Sequence, residues 1–393
     1  MNALGVAPAR LGFALVAGEA SGDNLGAALL TALAERVPGS RFFGVAGPRM
    51  RAAGCEVWQN SDALAVMGLA EIVRHLPRLI GLRQELLRRL AAARPDVYIG
   101  IDAPEFNLGV AARLKAQGLR TVQYVSPQVW AWRQGRVRTI GAAVDLVLCL
   151  LPFETSFYAE HGVRAVFVGH PLADEIPMVS DAAEARRQLG LSAGGSVVAV
   201  LPGSRGSEVG RLGGPFAATI AWLAHERPGL TFVGAMANPG TRAAFEAALA
   251  RHAPGVEVRL VDGRAQLAMA ASDAVLLASG TATLECALVK RPMVVCYRVA
   301  PITSWLLREL GLVKTRFFSQ PNLLADRALV PEFFQEQVRP EVLGPAMLGE
   351  LERPDRADLT AAFCEMHERL RRNASARAAE AILGLLAAGA NSP

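Results

Sequence analysis

Ala274-Val-Leu-Leu-Ala278 runs directly into Ser279-Gly-Thr-Ala-Thr-Leu-Glu285, a pattern typical of a short buried strand, a glycine turn and the start of a helix. The first N–H groups of a helix lack partners within it, and the helix macrodipole adds partial positive charge there. Such a junction can bind phosphate, with Glu285 one turn inside the helix. Many strand-glycine-helix junctions only turn the chain, so this segment alone leaves both interpretations open.

A second junction of this kind lies upstream, where Val197-Val-Ala-Val-Leu201 ends in Pro202-Gly-Ser-Arg-Gly-Ser-Glu208. The arginine stands inside the turn, and its planar guanidinium can bind a phosphate through two hydrogen bonds. Two glycine-rich junctions in one half of the chain favour a charged ligand between them. The residues that we predict to bind it are Ser204, Arg205, Ser279, Gly280, Thr281 and Glu285.

Apolar, strand-like runs alternate with helical patterns in both halves of the chain. This predicts an α/β fold with two doubly wound Rossmann-like domains, whose parallel sheets carry helices on both faces. Ligands bind at the carboxyl ends of such strands, so we expect the domains to face each other across a cleft. We place the domains at residues 1–172 and 173–345, because glycine and prolines interrupt the pattern near 169–177. Residues 346–393 are expected to form helices that pack back on the first domain or on a second subunit.

Composition sets further limits. A chain of 393 residues with 52% hydrophobic residues has room for two cores. Its formal charge of +5 fits anionic lipid or phosphorylated substrates, and no nucleic-acid-binding module is recognisable. No segment approaches the about 20 apolar residues of a membrane span. Five scattered cysteines and an N-terminal apolar run too short for an export signal predict a cytoplasmic protein.

Asp102 is our candidate general base. It follows the apolar run that ends at Ile101, and Pro104 prevents the strand from continuing. A carboxylate at this strand end would be partly desolvated and would face the ligand. The alternative is that Asp102 caps the following helix, unless Glu105 and Asn107 do so instead.

The next predicted strand leads into Tyr124-Val-Ser-Pro-Gln-Val-Trp-Ala-Trp-Arg133. Flat indole rings beside polar groups suit sugar rings, and arginine suits phosphate. We therefore include Ser126, Trp132 and Arg133 among the substrate-binding candidates, although a lone tryptophan more often belongs to a core.

Residues 62–89 combine an amphipathic helical pattern with several arginines. A core helix with solvated arginines is the ordinary interpretation. The alternative is contact with an anionic membrane surface, because apolar residues crowd this segment beside basic ones. The side chains that would contact lipid are Val66, Met67, Leu69, Ile72, Val73 and Leu76. Elsewhere the six histidines are dispersed and no Asp-x-Asp or His-x-x-x-His pattern occurs, so we expect no metal site.

Eight short segments, in this order, resemble lipid-A-disaccharide synthases, glycosyltransferases of the two-domain B-type fold. They are residues 18–23, 100–104, 124–133, 151–154, 169–170, 201–205, 279–285 and 321–325. The resemblance implies an inverting transfer from UDP-2,3-diacylglucosamine to the 6-hydroxyl of 2,3-diacylglucosamine 1-phosphate. The products would be the β-1,6 disaccharide 1-phosphate and UDP, made at the inner membrane by a peripherally bound enzyme without metal or cofactor.

The resemblance also implies roles for individual residues. Asp102 would be the base, Arg205 and the Gly280-Thr281 helix start would hold the diphosphate, and Glu285 would accept hydrogen bonds from ribose. Glu19, Ser21 and Asn322 would position substrate. Position 105 holds glutamate where the family usually has aspartate, so Glu105 receives no catalytic role. The oligomeric state stays open, with a homodimer among the possibilities.

Two other functions remain open. A UDP-N-acetylglucosamine-type epimerase of the same fold would bind a related ligand without a lipid-binding helix. A two-domain solute-binding protein would close on its ligand without chemistry, and an export signal would then be expected.

Overall fold

The computed structural model describes residues 10–64, 69–132, 134–299 and 316–390, with the side chains of 69–76, 131–132 and 389–390 left out. The chain divides into two compact units. The first runs to Asp174 and includes the chain from Leu370 onward, and the second is Glu175–Arg369. Each unit has its own sheet and core.

The first unit is built on a seven-stranded parallel sheet. Its strands are β1 (Gly12–Ala17), β2 (Arg41–Ala46), β3 (Glu56–Asn60), β4 (Val97–Ile101), β5 (Arg120–Tyr124), β6 (Leu146–Cys149) and β7 (Ala165–Phe167), in the order β3-β2-β1-β4-β5-β6-β7. Helices cover Ala20–Arg36, Pro48–Ala52, Leu69–Ala93, Pro104–Lys115, Val129–Trp132, Val137–Ala143, Glu154–Ala159, Pro171–Glu175 and Ala374–Ala390.

The second unit has a six-stranded parallel sheet. Its strands are β8 (Val197–Leu201), β9 (Thr231–Met236), β10 (Val258–Asp262), β11 (Ala274–Ala278), β12 (Met293–Tyr297) and β13 (Glu332–Phe334), in the order β10-β9-β8-β11-β12-β13. Its helices are Ala182–Gln188, Gly206–Glu226, Pro239–His252, Ala265–Ala271, Thr281–Leu288, Gln320–Ala325, Pro340–Leu351 and Arg356–Leu370.

The central strands β1, β4, β8 and β11 are apolar and buried, as strands covered by helices on both faces must be. In both sheets the order reverses beside the first strand, and ligands of doubly wound sheets bind near that reversal. The predicted class, two doubly wound α/β domains, is confirmed.

The C-terminal helices divide between the two units. Ala374–Ala390 packs on Ala20–Arg36, and its Ile382 shares a core with Phe13. Pro340–Leu351 instead packs on Gly206–Glu226 in the second unit. The structure thus separates the units after Asp174, and of residues 346–393 it assigns only those from Leu370 onward to the first unit. None of the helices in the described ranges is long and apolar enough to cross a membrane.

Candidate active site

The junction after β11 has the geometry of an anion site. Gly280, with φ +156° and ψ −159°, occupies a conformation that is essentially restricted to glycine, and it caps the helix Thr281–Leu288. Gly280 and Thr281 are exposed, so the start of the helix is accessible to a ligand. Ser279 donates its hydroxyl to the Phe318 carbonyl at 3.0 Å. That hydrogen bond ties the junction to residues 316–320.

The junction after β8 is constructed differently. The carboxylate of Glu208 accepts the N–H groups of Ser204 and Arg205 at 2.9 and 3.2 Å, which pairs the two backbone amides just before the helix Gly206–Glu226. The Arg205 guanidinium lies 3.8 Å from Glu208, and about half of the arginine side chain is exposed. At this junction a ligand would therefore meet the exposed arginine side chain and the exposed first residues of the helix, Gly206 and Ser207.

The ends of β12 and β13 border the same region. Tyr297, Phe318 and Phe334 form a cluster whose ring centroids lie 5.9 to 6.3 Å apart. Burial raises the pKa of the Tyr297 phenol, the charge of Glu208 raises it further, and the charges of Arg211 and Arg205 lower it. An aromatic surface thus lies beside the Arg205 turn, and no sequence pattern had predicted it.

Glu285 is a half-buried carboxyl one turn into the Thr281–Leu288 helix. Burial raises its pKa to about 7, and the charge of Glu175 contributes further. The group can therefore take up or release a proton near neutral pH, and in its ionised form it can accept hydrogen bonds from ligand hydroxyls.

Asn322 is buried and fully hydrogen-bonded within its own unit. Its amide nitrogen donates to the Val330 carbonyl and the Glu332 carboxylate, and its oxygen accepts the N–H groups of Leu329 and Val330, all within 3.0 Å. Glu332 also accepts the N–H groups of Phe318 and Ser319. The side chain predicted to position substrate thus shapes this loop, together with a glutamate that the sequence analysis missed.

In the first unit, Asp102 follows β4 as predicted. It adopts φ +53°, and Ala103, with φ +41°, is the N-cap of the helix Pro104–Lys115 without a side-chain capping bond. Within the described ranges the Asp102 carboxylate makes neither a hydrogen bond nor an ion pair. Glu105 pairs with Arg136, and Asn107 donates to the Asp102 carbonyl at 2.8 Å. The described contacts therefore do not support a capping role for Asp102.

The loop after β1 contains Glu19 and Ser21 at the start of the helix Ala20–Arg36. Glu19 is its N-cap and half-buried, and Ser21 is exposed. Asp23, from the same motif, is buried, and its carboxylate accepts the N–H groups of Gly47, Arg49 and Met50 at 2.8 to 3.0 Å. In this motif Asp23 therefore supports the backbone, while Ser21 is accessible to a ligand.

The strand end after β5 is occupied by an internal network. Ser126 is buried, with its hydroxyl 3.0 Å from the Tyr158 hydroxyl. Trp130 donates its indole N–H to Glu154 at 3.2 Å and packs edge-on against Phe153. Ser126, predicted to bind substrate, and Trp130 thus both have partners within the unit.

Several predicted residues cannot be placed. Arg133, Val66 and Met67 lie outside the described residues, and the described structure excludes the side chains of Trp132, Leu69, Ile72, Val73 and Leu76. Among the residues whose positions are described, no group of three or more histidine, cysteine, aspartate or glutamate side chains could hold a metal ion.

Comparison with known proteins identifies the family. The lipid-A-disaccharide synthetase family model matches residues 13–384. A lipid-A-disaccharide synthase of Xanthomonas axonopodis pv. citri is 52% identical over 376 residues, which cover 95% of this chain and 85% of the relative.

Solved structures with low sequence identity share the fold. UDP-GlcNAc 2-epimerase from Neisseria meningitidis, bound to UDP-GlcNAc, has a TM-score of 0.64 at 13% identity, covering 95% of this chain and all of that one. The glycotransferase of kitacinnamycin has a TM-score of 0.60 at 17% identity, covering 95% and 99%. The family model and the 52% identical relative favour the transferase over the epimerase alternative. The chain belongs to the lipid-A-disaccharide synthase family and is a UDP-sugar glycosyltransferase of the B-type fold.

Proposed function

We propose that the chain takes UDP-2,3-diacylglucosamine as donor and 2,3-diacylglucosamine 1-phosphate as acceptor. The observation that carries this proposal is the Asp102 carboxylate. It sits on a left-handed turn at a strand end, without a hydrogen bond or ion pair in the described part of the chain. A carboxylate in that state is available to accept a proton.

The chemistry follows from the residue types. Asp102 accepts the proton of the acceptor 6-hydroxyl while that oxygen forms a bond to C1 of the donor sugar. The bond between C1 and the diphosphate oxygen breaks on the opposite side, which inverts the configuration and releases UDP. The developing charge is stabilised by the N–H groups at the Gly280-Thr281 helix start and by Arg205.

The remaining residues bind and position substrate. Glu285 accepts hydrogen bonds from the ribose hydroxyls, and Glu19 and Ser21 position substrate from the first unit. Asn322 acts indirectly, because its hydrogen bonds hold the loop beside Ser279. This set of groups supplies the charge stabilisation without a metal or cofactor, so activity in excess EDTA should equal activity in buffer.

We also propose peripheral binding at the cytoplasmic face of the inner membrane through the segment with Val66, Leu69 and Ile72. The apolar and basic composition of that segment supports the proposal. Replacing these three residues by serine should weaken binding to anionic liposomes while the far-UV circular dichroism stays unchanged. Unfolding of the variant would identify the helix as part of the core. A homodimer remains a prediction, to be tested by light scattering.

Incubation with both substrates, followed by UDP release and product mass, tests the reaction. Asp102→Asn should abolish turnover and leave UDP-sugar binding near normal. Glu105→Gln is the matched control, because Glu105 lies three residues later, in the first turn of the following helix, and is exposed and paired with Arg136. Release of UDP without acceptor at the same rate would favour the epimerase, and full turnover by Asp102→Asn would refute the base.

A further inference from the structure

The turn that carries Asp102 is strained. Asp102 and Ala103 are consecutive non-glycine residues with left-handed φ values of +53° and +41°, and Val125, at the end of the neighbouring strand, has φ +75°. Such conformations cost about 1 to 3 kcal/mol each, and a β-branched residue tolerates them least. Three strained residues at the ends of β4 and β5 require interactions that hold them in place.

Two buried amide side chains supply these interactions. Asn107 donates to the Asp102 carbonyl at 2.8 Å, and Gln123 donates to the same carbonyl at 3.2 Å. The Gln123 nitrogen also lies 3.3 Å from the carbonyls of Tyr124 and Val125. Gln123 thus bridges the two strained strand ends, because one nitrogen contacts the carbonyls of both Asp102 and Val125.

The orientation of the Gln123 amide follows from its surroundings. Three carbonyl oxygens face one end of the amide, and only an NH₂ group can donate to them, so rotation by 180° would bring oxygen against oxygen. The Gln123 oxygen is buried without a hydrogen-bond partner among the described residues. An unpaired buried oxygen costs about 1 to 3 kcal/mol. The three contacts made by the Gln123 nitrogen therefore come with the cost of leaving its oxygen unpaired.

Gly100 makes room for both amides. It pairs with Gln123 in the sheet, and a Cβ at this position would lie 2.7 Å from the Asn107 Cβ and 3.1 Å from the Gln123 oxygen. Tyr98 completes the arrangement by donating its hydroxyl to the Asn107 oxygen at 2.8 Å. Both amides thus lie against the Gly100 backbone, and the hydroxyl of Tyr98 also holds the amide of Asn107.

We propose that Gln123, assisted by Asn107, is a positioning residue: its amide holds the Asp102 carbonyl and thereby fixes the direction of the Asp102 carboxylate. Gln123 acts through the backbone and does not touch substrate. This inference rests on the proposed role of Asp102 as the base. A carboxylate displaced by about 1 Å can lose about 100-fold in rate.

The test uses Gln123→Met, which keeps the length of the side chain and removes the amide. We expect kcat to fall about 10- to 100-fold, with KM for both substrates and the affinity for UDP within twofold of wild type. Thr121→Val is the matched control. Thr121 lies two residues away on the same strand, equally buried, and its hydroxyl donates to the Ala143 carbonyl at 3.1 Å, away from Asp102. Its kcat should stay within twofold of wild type.

A double-mutant cycle separates positioning from general damage. Asp102→Asn should retain at most a trace rate, measured in long incubations at high enzyme concentration, and Gln123→Met should lower that trace rate no further, because the group it positions is absent. If Gln123→Met fails to fold, Gln123→Asn keeps the polarity on a side chain too short to reach both carbonyls, and the same loss of kcat is expected.

Three results would overturn the positioning role and leave the base assignment intact. They are a wild-type kcat in either folded variant of Gln123, a fall in kcat no larger than that of Thr121→Val, and a loss of rate that adds to the loss caused by Asp102→Asn. Full activity of Asp102→Asn would instead refute the base itself, and this proposal with it.

Discussion

Replacing Glu154 by glutamine should make the stability of the protein less dependent on pH, so that the variant gains stability relative to wild type as the pH rises from 5 to 8. The carboxyl is only 3% exposed. It accepts the Trp130 indole N–H at 3.2 Å and the Leu151 N–H at 3.0 Å. These donors do not replace the lost water, so burial raises the pKa of Glu154 to about 7, against a smaller lowering by its hydrogen bonds.

The magnitude follows from the two pKa values. A carboxyl whose pKa is raised by folding contributes stability that is fully present below its ordinary pKa of 4.5 and is lost as the pH rises through about 7. The difference between these values corresponds to about 3 kcal/mol. Glutamine bears no charge, but it places an NH₂ group against one of the two N–H donors, at a cost of about 1 to 3 kcal/mol that does not depend on pH. Between pH 5 and pH 8 the free energy of unfolding of Glu154→Gln should therefore rise relative to wild type by up to about 3 kcal/mol.

Urea unfolding at pH 5, 6.5 and 8 measures the difference in free energy of unfolding between Glu154→Gln and wild type. Hydrogen exchange in β6 and β7 assigns that difference to the first unit. Glu160→Gln is the matched control, because Glu160 is an exposed residue just after the same helix. Glu285, whose pKa is also raised to about 7, is present in all three proteins, so its contribution cancels in the comparison. Equal destabilisation of Glu154→Gln at all three pH values would show that its hydrogen bonds matter and its charge does not.

Asp23→Asn should lower the free energy of unfolding by about 1 to 3 kcal/mol in urea titrations, because the carboxylate accepts three N–H groups from residues 47–50; an unchanged midpoint would contradict this. Glu332→Gln removes a hydrogen-bond acceptor from the loop that Asn322 holds, so the Kd for UDP measured by calorimetry should rise about tenfold, which corresponds to about 1.4 kcal/mol. An unaltered Kd would show that this loop does not contribute to UDP binding. UDP should bind wild type more tightly as the pH rises through about 7, since ribose hydroxyls donate to ionised Glu285, and Glu285→Gln should lose that pH dependence.

The strands that the sequence predicted best are the buried central ones. β8 and β11 occupy the predicted residues, because a strand covered on both faces is an unbroken apolar run. The short strands β3, β7 and β13 do not form such apolar runs, and no sequence pattern predicts them. They lie at sheet edges and are only partly buried, so their composition resembles that of loops.

The sequence also predicted where the candidate site residues lie along the chain, but it did not predict which groups surround them. Asp102, Arg205 and the Gly280 junction follow parallel strands, and a strand end is visible as the end of an apolar run. Whether a polar side chain is satisfied depends on partners far along the chain. The carboxylate of Asp23 meets N–H groups at 47–50, and Glu154 meets Trp130.

The sequence by itself therefore determined the α/β class, the two sheets and the family, because hydrophobic periodicity and short motifs are local properties of the chain. Only the tertiary structure decided which polar side chains form hydrogen bonds within the protein. Ser126 and Asn322 are bound within their units, whereas the Asp102 carboxylate has no partner in the described ranges. The physical reason is that hydrogen bonding and desolvation depend on which distant segments folding brings together.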